Sequence, residues 1–571
     1  MPPKFSKEFN QILMYTDTHP DYQGRRSPCE VDCPAGNMIS RFINLIQQNK
    51  FEEALESIMA RNPFPGVCGR VCFHPCTSRC NRGELDEKIA INSLERVAFD
   101  NANLSKLKLP KKIEDTSKRV AIIGSGPAGM TCAYFSALLG HEVTLYEAMP
   151  ELGGMLRVVP EYRLPKKVVD REIEQIIALG IHVETGVRVG HDISMNEITE
   201  KFDSCFVATG AWKPIRLNVP GEEMAISGLD FLRKVKSGEK PKIGKRVMVI
   251  GGGNTAFDCA CTALRLGALE VHLACVEPKG KMPAARDILE EGEKEGVIIH
   301  NSEIVTKILS EKDDITGIEC RNVKSFEFDD AGKLHVETIP QSEHVIPADT
   351  VIIAIGQVPD LDVIRDVSEI KTTKRQTIMA DSFGFVTDFK GVFASGDVVT
   401  GPKSIVEAIG SGRLTAIAMD TYLLGRGNGY PFAIVLGPDG RITIERSVVK
   451  REMLTSTQTV AFGDILNIKY FDKNPQIPMK IIPYPQSIRT FEENKKGYGV
   501  GEAIEEANRC FHCGHCFKCE KCVEFCPGDV LMMNEDGPAV IYPEECWHCA
   551  NCKISCPCGG IQIQFPLSML I

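Results

Sequence analysis

The sequence has no surplus of positive charge: 66 Lys and Arg stand against 76 Asp and Glu, a net −10 with neutral histidines. No basic stripe is visible, so a nucleic-acid partner is not expected. No uninterrupted run of 18 apolar residues occurs, so no membrane-spanning helix is expected. The chain does not open on a basic cluster followed by an apolar stretch, and a secretory leader is not expected either. Cysteine, by contrast, is abundant, with 23 in 571 residues. Eight fall in two Cys-x2-Cys-x2-Cys-x3-Cys-Pro runs, which is ligand spacing rather than a secreted disulfide framework. The expected compartment is therefore reducing: cytoplasmic, and low in oxygen. The length suggests about four domains at the usual ~150 residues each.

The chain is organised around residues 119–147. The β-branched run Val120–Ile123 reads as a buried strand, followed by the turn Gly124-Ser125-Gly126-Pro127-Ala128-Gly129 and a helical pattern ending at Gly140. A second strand, Glu142–Tyr146, leads to Glu147. Strand, GxGxxG, helix, strand and acid in that order form a dinucleotide-binding fingerprint. Gly124 allows the tight turn, Gly126 admits a pyrophosphate, and Gly129 lets the helix pack on the strand. Glu147 is placed to accept from ribose hydroxyls. The helix N-terminus offers N–H groups to phosphate. Further on, Gly153-Gly154 would let backbone pass close to a flavin ring.

A second such unit starts at Lys245. Its strand runs into Gly251-Gly252-Gly253-Asn254-Thr255-Ala256, a GxGxxA turn, then a helix closing at Gly267 and a strand reaching Glu277. Two units imply two nucleotides, FAD on the first and a nicotinamide nucleotide on the second. Candidate contacts on the second are Gly251, Gly253, Asn254, Thr255 and Glu277. The chain then returns through Val351–Ile355 and Gly391-Val392-Phe393-Ala394-Ser395-Gly396-Asp397. Asp397 reads either as a carboxylate near the flavin ribityl or phosphate region or as a helix cap. A helix is expected over Ser404–Leu424.

Two cysteine-rich regions flank this core. Near the start lie Cys29-x3-Cys33-Pro34 and Cys68-x3-Cys72-x3-Cys76-x3-Cys80, beside helical patterns at Ile39–Gln47 and Phe51–Ala60. Pro75 and the GRVC lead-in argue against one continuous helix carrying the second group, and zinc is an alternative occupant. At the far end, Cys516, Cys519, Cys522 and Cys526 precede Pro527, and Cys546, Cys549, Cys552 and Cys556 precede Pro557. This is the two-cluster ferredoxin pattern, in which three close cysteines hold one cubane and the fourth reaches the other. Cys516, Cys519, Cys522 and Cys556 are the expected first set. Cys546, Cys549, Cys552 and Cys526 are the second. Cys558 is left over.

This order resembles the glutamate synthase small-subunit family, which includes the N-terminal half of dihydropyrimidine dehydrogenase and the large subunit of the bifurcating ferredoxin:NADP oxidoreductase. GRVC at 69–72, GSGPAG at 124–129, GGML at 153–156, PEYRLP at 160–165, GGGNTA at 251–256, MPA at 282–284, AIGQ at 354–357 and SGD at 395–397 carry the likeness. It covers about residues 25–425, and the tail resembles that of a subgroup. The resemblance implies an α/β fold with two Rossmann-like domains, the NAD domain inserted in the FAD domain. An α-helical iron–sulfur head precedes them, and a C-terminal α+β 2[4Fe–4S] ferredoxin-like domain follows. The expected boundaries are 1–117 for the head, 118–225 and 346–425 for the FAD domain, and 226–345 for the nicotinamide domain. Residues 426–500 are expected to be a connector and 501–571 the ferredoxin-like domain.

The implied activity is hydride transfer from NAD(P)H to FAD, with single electrons leaving through three to four [4Fe–4S] clusters. The acceptor would be ferredoxin or a catalytic subunit of a hetero-oligomeric complex. No side-chain acid or base is needed, so no catalytic residue is named. Matched positions imply Cys33, Cys72, Cys76 and Glu95 as one head set. The other uses Cys29 and Cys80 plus a Cys-x2-Cys pair that this chain lacks ahead of Cys29. Cys510-x2-Cys513, in EEANRCFHCGHC, resembles that missing lead-in and is expected to complete the set, within the chain or from a second subunit; the alternative is a lost cluster, with the pair as spare thiols or a small metal site. The family commonly places two arginines after the second nucleotide strand. Here Val276 and Glu277 stand there, so NADH is expected over NADPH, with Lys279 and Lys281 nearby. The loop before PEYRLP is also one residue shorter than the family's.

Three rivals are distinguishable. A glutamate synthase small subunit would lack the tail. A disulfide reductase needs a dithiol beside the flavin, and Cys259 and Cys261, two apart on a helix, point roughly 200° from each other. A relay adapter that only docks partners would not be reduced by NADH.

Overall fold

The computed structural model describes residues 20–22, 25–108, 115–330, 332–381, 385–425, 433–436, 442–445, 459–535 and 537–563. The run after Lys118 forms the strand Arg119–Ile123, central in a five-stranded parallel sheet. Its order is Val392–Ala394, Ser204–Val207, Arg119–Ile123, Glu142–Glu147, His182–Thr185. The helix Pro127–Leu138 is buried at every position. Its sequence, PAGMTCAYFSAL, has no polar face because it has no solvent side. The sheet, the helix Ile405–Leu423 and the head surround it, and Tyr134 donates to the Met59 carbonyl at 3.2 Å.

A second five-stranded parallel sheet runs Ile298–Asn301, Glu270–Cys275, Arg246–Ile250, Thr350–Ile353, Ile226–Ser227. The strand Thr350–Ile353 was expected in the returning FAD half. It pairs instead with Arg246–Ile250, so the inserted unit extends past 345. Antiparallel strands Glu303–Glu311, Asp314–Phe328, Leu334–Thr338 and His344–Pro347 complete the insertion. The chain enters and leaves this lobe through Lys213–Pro214 and Gln357–Val358, paired antiparallel.

The head is helical, with Ile39–Gln47, Phe51–Met59, Pro65–Val71 and Ile91–Asn101. Helix Pro65–Val71 stops at Cys72, which is extended, and His74 takes a left-handed conformation before the short helix Pro75–Ser78. Cys68, Cys72, Cys76 and Cys80 therefore do not share one helix face. Buried Glu172, from helix Lys166–Ile177, accepts from the Gly66 and Val67 N–H groups at the N-terminus of Pro65–Val71, and burial pushes its carboxyl up to about 8 against the pull of those donors.

Residues 459–500 are more than a connector. Glu493 pairs with Arg70 and Arg96 of the head, and Lys495 pairs with Asp287 and Glu291 of the inserted lobe. The helix Val500–Asn508, expected to open the tail domain, packs on the head. Its Ala503 and Ala507 join the core shared by head and FAD half. Beyond it, short helices Lys521–Glu524 and Asn551–Ser555 and the ladder Leu531–Met533 with Pro538–Val540 form the tail. The strand Ile561–Ile563 pairs with Pro20–Tyr22 from the other end of the chain. Among the described residues no helix is long and apolar enough to cross a membrane.

Candidate functional site

The first glycine turn assigns a different duty to each glycine. Gly124 has φ +102, and a Cβ there would lie 2.5 Å from the Ala208 carbonyl oxygen. A Cβ on Gly129 would fall onto the Gly124 carbonyl, 3.0 Å from its carbon. At Gly126 the backbone is extended, and a Cβ would meet nothing within 4 Å, so the space beside it is open. Gly154 closes over the same spot, where a Cβ would come 2.7 Å from the Gly126 Cα. Glu147 Oε2 accepts from the Ser125 N–H at 2.9 Å and the Ser125 hydroxyl at 2.5 Å, which holds the acid beside the turn. Asp397 begins the short helix Asp397–Thr400 after Gly396, and its Oδ1 accepts from Lys403 N–H at 3.0 Å. Burial pushes its carboxyl up to about 6, against the pull of that N–H.

The second turn repeats the pattern. Gly251 has φ +139, Gly253 faces open space, and Asn254 begins the helix Asn254–Arg265. Asn254 Oδ1 accepts from Ala285 N–H at 2.8 Å, pinning the loop that carries Pro283. The Glu277 carboxylate lies against Gly252, where a Cβ would come 2.6 Å from its Oε2. Both turns open into one cavity of about 1580 Å³. Gly126, Glu147, Gly154 and Asp397 line one end, and Gly253, Asn254, Thr255 and Glu277 the other. Val71 and Phe73, the neighbours of Cys72, line it from the head.

Sequence reasoning missed the clamp between the lobes. One guanidinium nitrogen of Arg163, in PEYRLP, donates to both carboxylate oxygens of Asp258 in the second turn's helix, at 2.7 and 2.8 Å, across 95 positions. Beside it, the Arg265 guanidinium stacks 3.7 Å over the Tyr162 ring and pairs with Glu295 at 2.6 Å. Burial raises the Asp258 carboxyl and Arg163 opposes the rise. The arginine of PEYRLP was the only signal, and nothing in the sequence named its partner.

Sixteen of the 23 cysteines fall into four groups of neighbours. Cys76 is acted on by Cys33, Cys72 and Glu95. Glu95 is buried, and its Oε1 accepts from Asn37 and Asn62, each at 3.0 Å. Burial pushes Glu95 up to about 8 while the two amides pull it down. Cys68 also neighbours Glu95 and Cys72. Cys29 is acted on by Cys80 and Cys513, and Cys510 by Cys513 and Cys80. In the tail, Cys522 is acted on by Cys556, Cys516 and Cys519, and Cys552 by Cys546, Cys526 and Cys549. No three His, Cys, Asp or Glu among the described residues are gathered as for a single metal ion. Zinc, with Zn–S about 2.3 Å, would hold its sulfurs about 3.8 Å apart. Cys259 and Cys261 are buried, and the Cys259 thiol faces the Gly228 carbonyl at 3.7 Å.

Two glycine turns facing one cavity, with a cysteine-bearing head on its wall, define a nucleotide-dependent flavin oxidoreductase fold joined to an iron–sulfur module. Comparisons with known proteins agree. The pyridine nucleotide-disulphide oxidoreductase family matches residues 118–412, and dihydropyrimidine dehydrogenase domain II, 4Fe-4S cluster, matches residues 10–107. The NADP(+)-dependent formate dehydrogenase subunit beta of Moorella thermoacetica is 35% identical, over 85% of this chain and 70% of its own. The NADPH-Fe(3+) oxidoreductase subunit beta of Geobacter sulfurreducens is 34% identical, over 85% of this chain and 74% of its own. The glutamate synthase [NADPH] small chain of Azospirillum brasilense is 32% identical, over 69% of this chain and 86% of its own. The chain belongs to the glutamate synthase small-subunit-like family of NAD(P)H-linked iron–sulfur flavoproteins.

Proposed function

We propose that the chain takes electrons from NADH and delivers them, singly, to ferredoxin or to a catalytic subunit of a larger redox complex. The observation that carries this reading is the shared cavity, lined by both glycine turns and by the residues flanking Cys72. FAD fits the first turn: Gly126 leaves room for a pyrophosphate, the start of helix Pro127–Leu138 presents N–H groups to it, and Glu147 stands ready for a ribose diol. Bound there, FAD supplies the conversion of a two-electron hydride into single electrons. The head and tail cysteines, with Glu95, fit [4Fe–4S] clusters by chemistry and grouping. Arg163 and Asp258 fix the nucleotide lobe against the flavin half, which sets how the two rings would meet. The acceptor is proposed to dock at the tail, where Cys549 is the exposed cysteine among the described residues and Trp547 is 68% exposed.

NADH is proposed over NADPH because the Glu277 carboxylate occupies the end of the second turn, where it suits a ribose diol and repels a 2′-phosphate. The NADP(H) in the relatives' names, with Lys279 and Lys281 nearby, favours the opposite choice, and kcat/KM for the two nucleotides decides. The relatives named glutamate synthase small chain match 69% of this chain, against 85% for the formate dehydrogenase and iron(III) reductase subunits. A redox-complex subunit is therefore preferred to a glutamate synthase partner. The purified chain should release FAD on denaturation, and NADH should bleach its flavin absorbance without oxygen. FMN, no flavin, or a flavin that no nicotinamide nucleotide reduces would overturn the reading.

A further inference from the structure

We propose that Cys29, Cys80, Cys510 and Cys513 hold one [4Fe–4S] cluster assembled from the two ends of the chain. The inference rests on the reading that the cysteine groups hold cubanes, and it adds the site that the head's own sequence cannot close. Within residues 25–108, Cys33, Cys72, Cys76 and Glu95 form one group with Cys68 beside it, which leaves Cys29 and Cys80 as a pair. Two thiolates do not hold a cubane. The structure brings two more to them. The Asn81 amide, next in the chain to Cys80, reaches Cys513 Sγ, and Gly514 packs on the Arg25 backbone four positions before Cys29.

Local structure accounts for the meeting. Helix Val500–Asn508 docks on the head, with Gln47 Nε2 donating to the Ala507 carbonyl at 2.9 Å. The chain leaving it is locked by buried Arg82, which donates to the Arg509 carbonyl at 2.9 Å and lies 5.1 Å from the Phe511 ring centre. Gly514, at φ +77, lets this segment press on the Arg25 backbone, where any side chain would overlap the Arg25 carbonyl. His512 Nδ1 meets the Ser40 carbonyl at 3.2 Å. Four residues spanning Cys510 to Cys513 are thus held against Cys29 by contacts unrelated to sulfur.

The sulfurs are provided for in the way cluster sulfurs are. The Asn81 amide donates to Cys513 Sγ at 3.4 Å, and the His512 N–H donates to Cys510 Sγ at 3.4 Å. The Ser27 hydroxyl and Cys29 Sγ share a hydrogen bond at 3.1 Å. Donors of this kind stabilise thiolate ligands and tune a cluster. The Arg509 and Lys88 charges also act on Cys80. A single zinc is disfavoured because two of the thiols are lone cysteines from separate segments rather than a second short pair.

The site also falls between its neighbours. Cys29 and Cys33, and likewise Cys76 and Cys80, are four residues apart, so chain reach limits them to about 14 Å. Cys513 and Cys516 are three apart, a limit of about 11 Å. The proposed cluster is therefore tied by short covalent segments to the head group on one side and to the first tail group on the other.

The test is metal counting on the full chain purified without oxygen. Four cubanes give about 16 iron and 16 sulfide per chain, three give about 12. The expectation is about 16 in the wild type, and about 12 in Cys29→Ala and in Cys513→Ala, with FAD content and the spectra of the other clusters retained. A wild-type count of about 12, zinc in place of iron, or variants that keep the full count would each overturn the proposal. If the variants do not fold, alkylation of the native wild type decides. Cys510 and Cys513 should resist iodoacetamide until iron is chelated, and labelling before chelation refutes the site. A failure of the proposed function appears elsewhere, as flavin that NADH does not reduce in a chain whose iron count is intact.

Discussion

Gly126 and Gly129 sit in one turn, and alanine should act on them in opposite ways. At Gly126 the backbone is extended and a Cβ meets nothing, so alanine fits the folded chain. It also narrows the unfolded ensemble, which is worth about 0.4–1 kcal/mol of added stability. The same methyl group stands where a pyrophosphate would come closest, and overpacking a tight contact costs about 1–3 kcal/mol. Affinity for FAD should fall about 5- to 150-fold. At Gly129 the Cβ would overlap the Gly124 carbonyl. That carbonyl cannot swing away freely, because the Ser125 N–H in the same peptide plane donates to Glu147 Oε2 at 2.9 Å. The helix propensity gained from glycine to alanine, about 1 kcal/mol, offsets only part of an overlap at or above the upper end of the ~3 kcal/mol range. Calorimetry of the apoprotein and titration with FAD separate the two effects. Gly126→Ala should melt no lower than wild type yet bind FAD weakly, while Gly129→Ala should melt lower with or without FAD. A Gly126→Ala protein with wild-type affinity, or a Gly129→Ala protein with wild-type melting, would refute the division of labour.

Three further outcomes are expected. Glu277→Arg should move the NADPH/NADH ratio of kcat/KM upward by about tenfold or more, equivalent to about 1.4 kcal/mol, and an unmoved ratio removes Glu277 from the nucleotide site. Glu95→Ala should lose about four irons or shift the reduction potential of one head cluster, and if both stay put Glu95 is not a ligand. Asp397 is raised to about 6 by burial, so the folded apoprotein binds a proton there that the unfolded chain has released. Its contribution to stability is present at low pH and is lost as pH rises from about 4, the ordinary aspartate range, through about 6. Asp397→Asn should flatten that part of the apoprotein stability profile, and an unchanged slope means the carboxyl does not titrate there.

The sequence was most legible where chemistry demands fixed spacing. The turns at 124–129 and 251–256 and the helix Ile39–Gln47 stand as read, because a tight turn needs its glycines and an amphipathic helix shows its period. Long-range pairing was not legible. The run TVII at 350–353 is apolar on both faces, so it fits either parallel sheet equally well, and only its partner Arg246–Ile250 settles which. Residues 459–500 read as a connector since their strands are two or three residues long, too short for a periodic signal. Their role rests on single side chains such as Glu493 and Lys495, whose partners lie hundreds of positions away. Arg163 and Asp258, 95 positions apart, were likewise invisible as a pair.

The strand Pro20–Tyr22 meets Ile561–Ile563, and His515 reaches Glu30 across 485 positions at 2.8 Å. On the ribosome this imposes a waiting time. At about 5–20 residues per second, the head emerges some 25–100 s before the segment that completes it. Through that interval Cys29 and Cys80 are nascent-chain thiols without the partners proposed for them, open to oxidation or to a stray metal. Iron loading of the proposed site must follow synthesis of residues 510–513, so a stall or nick before that segment is felt first beside Cys29 and Cys80.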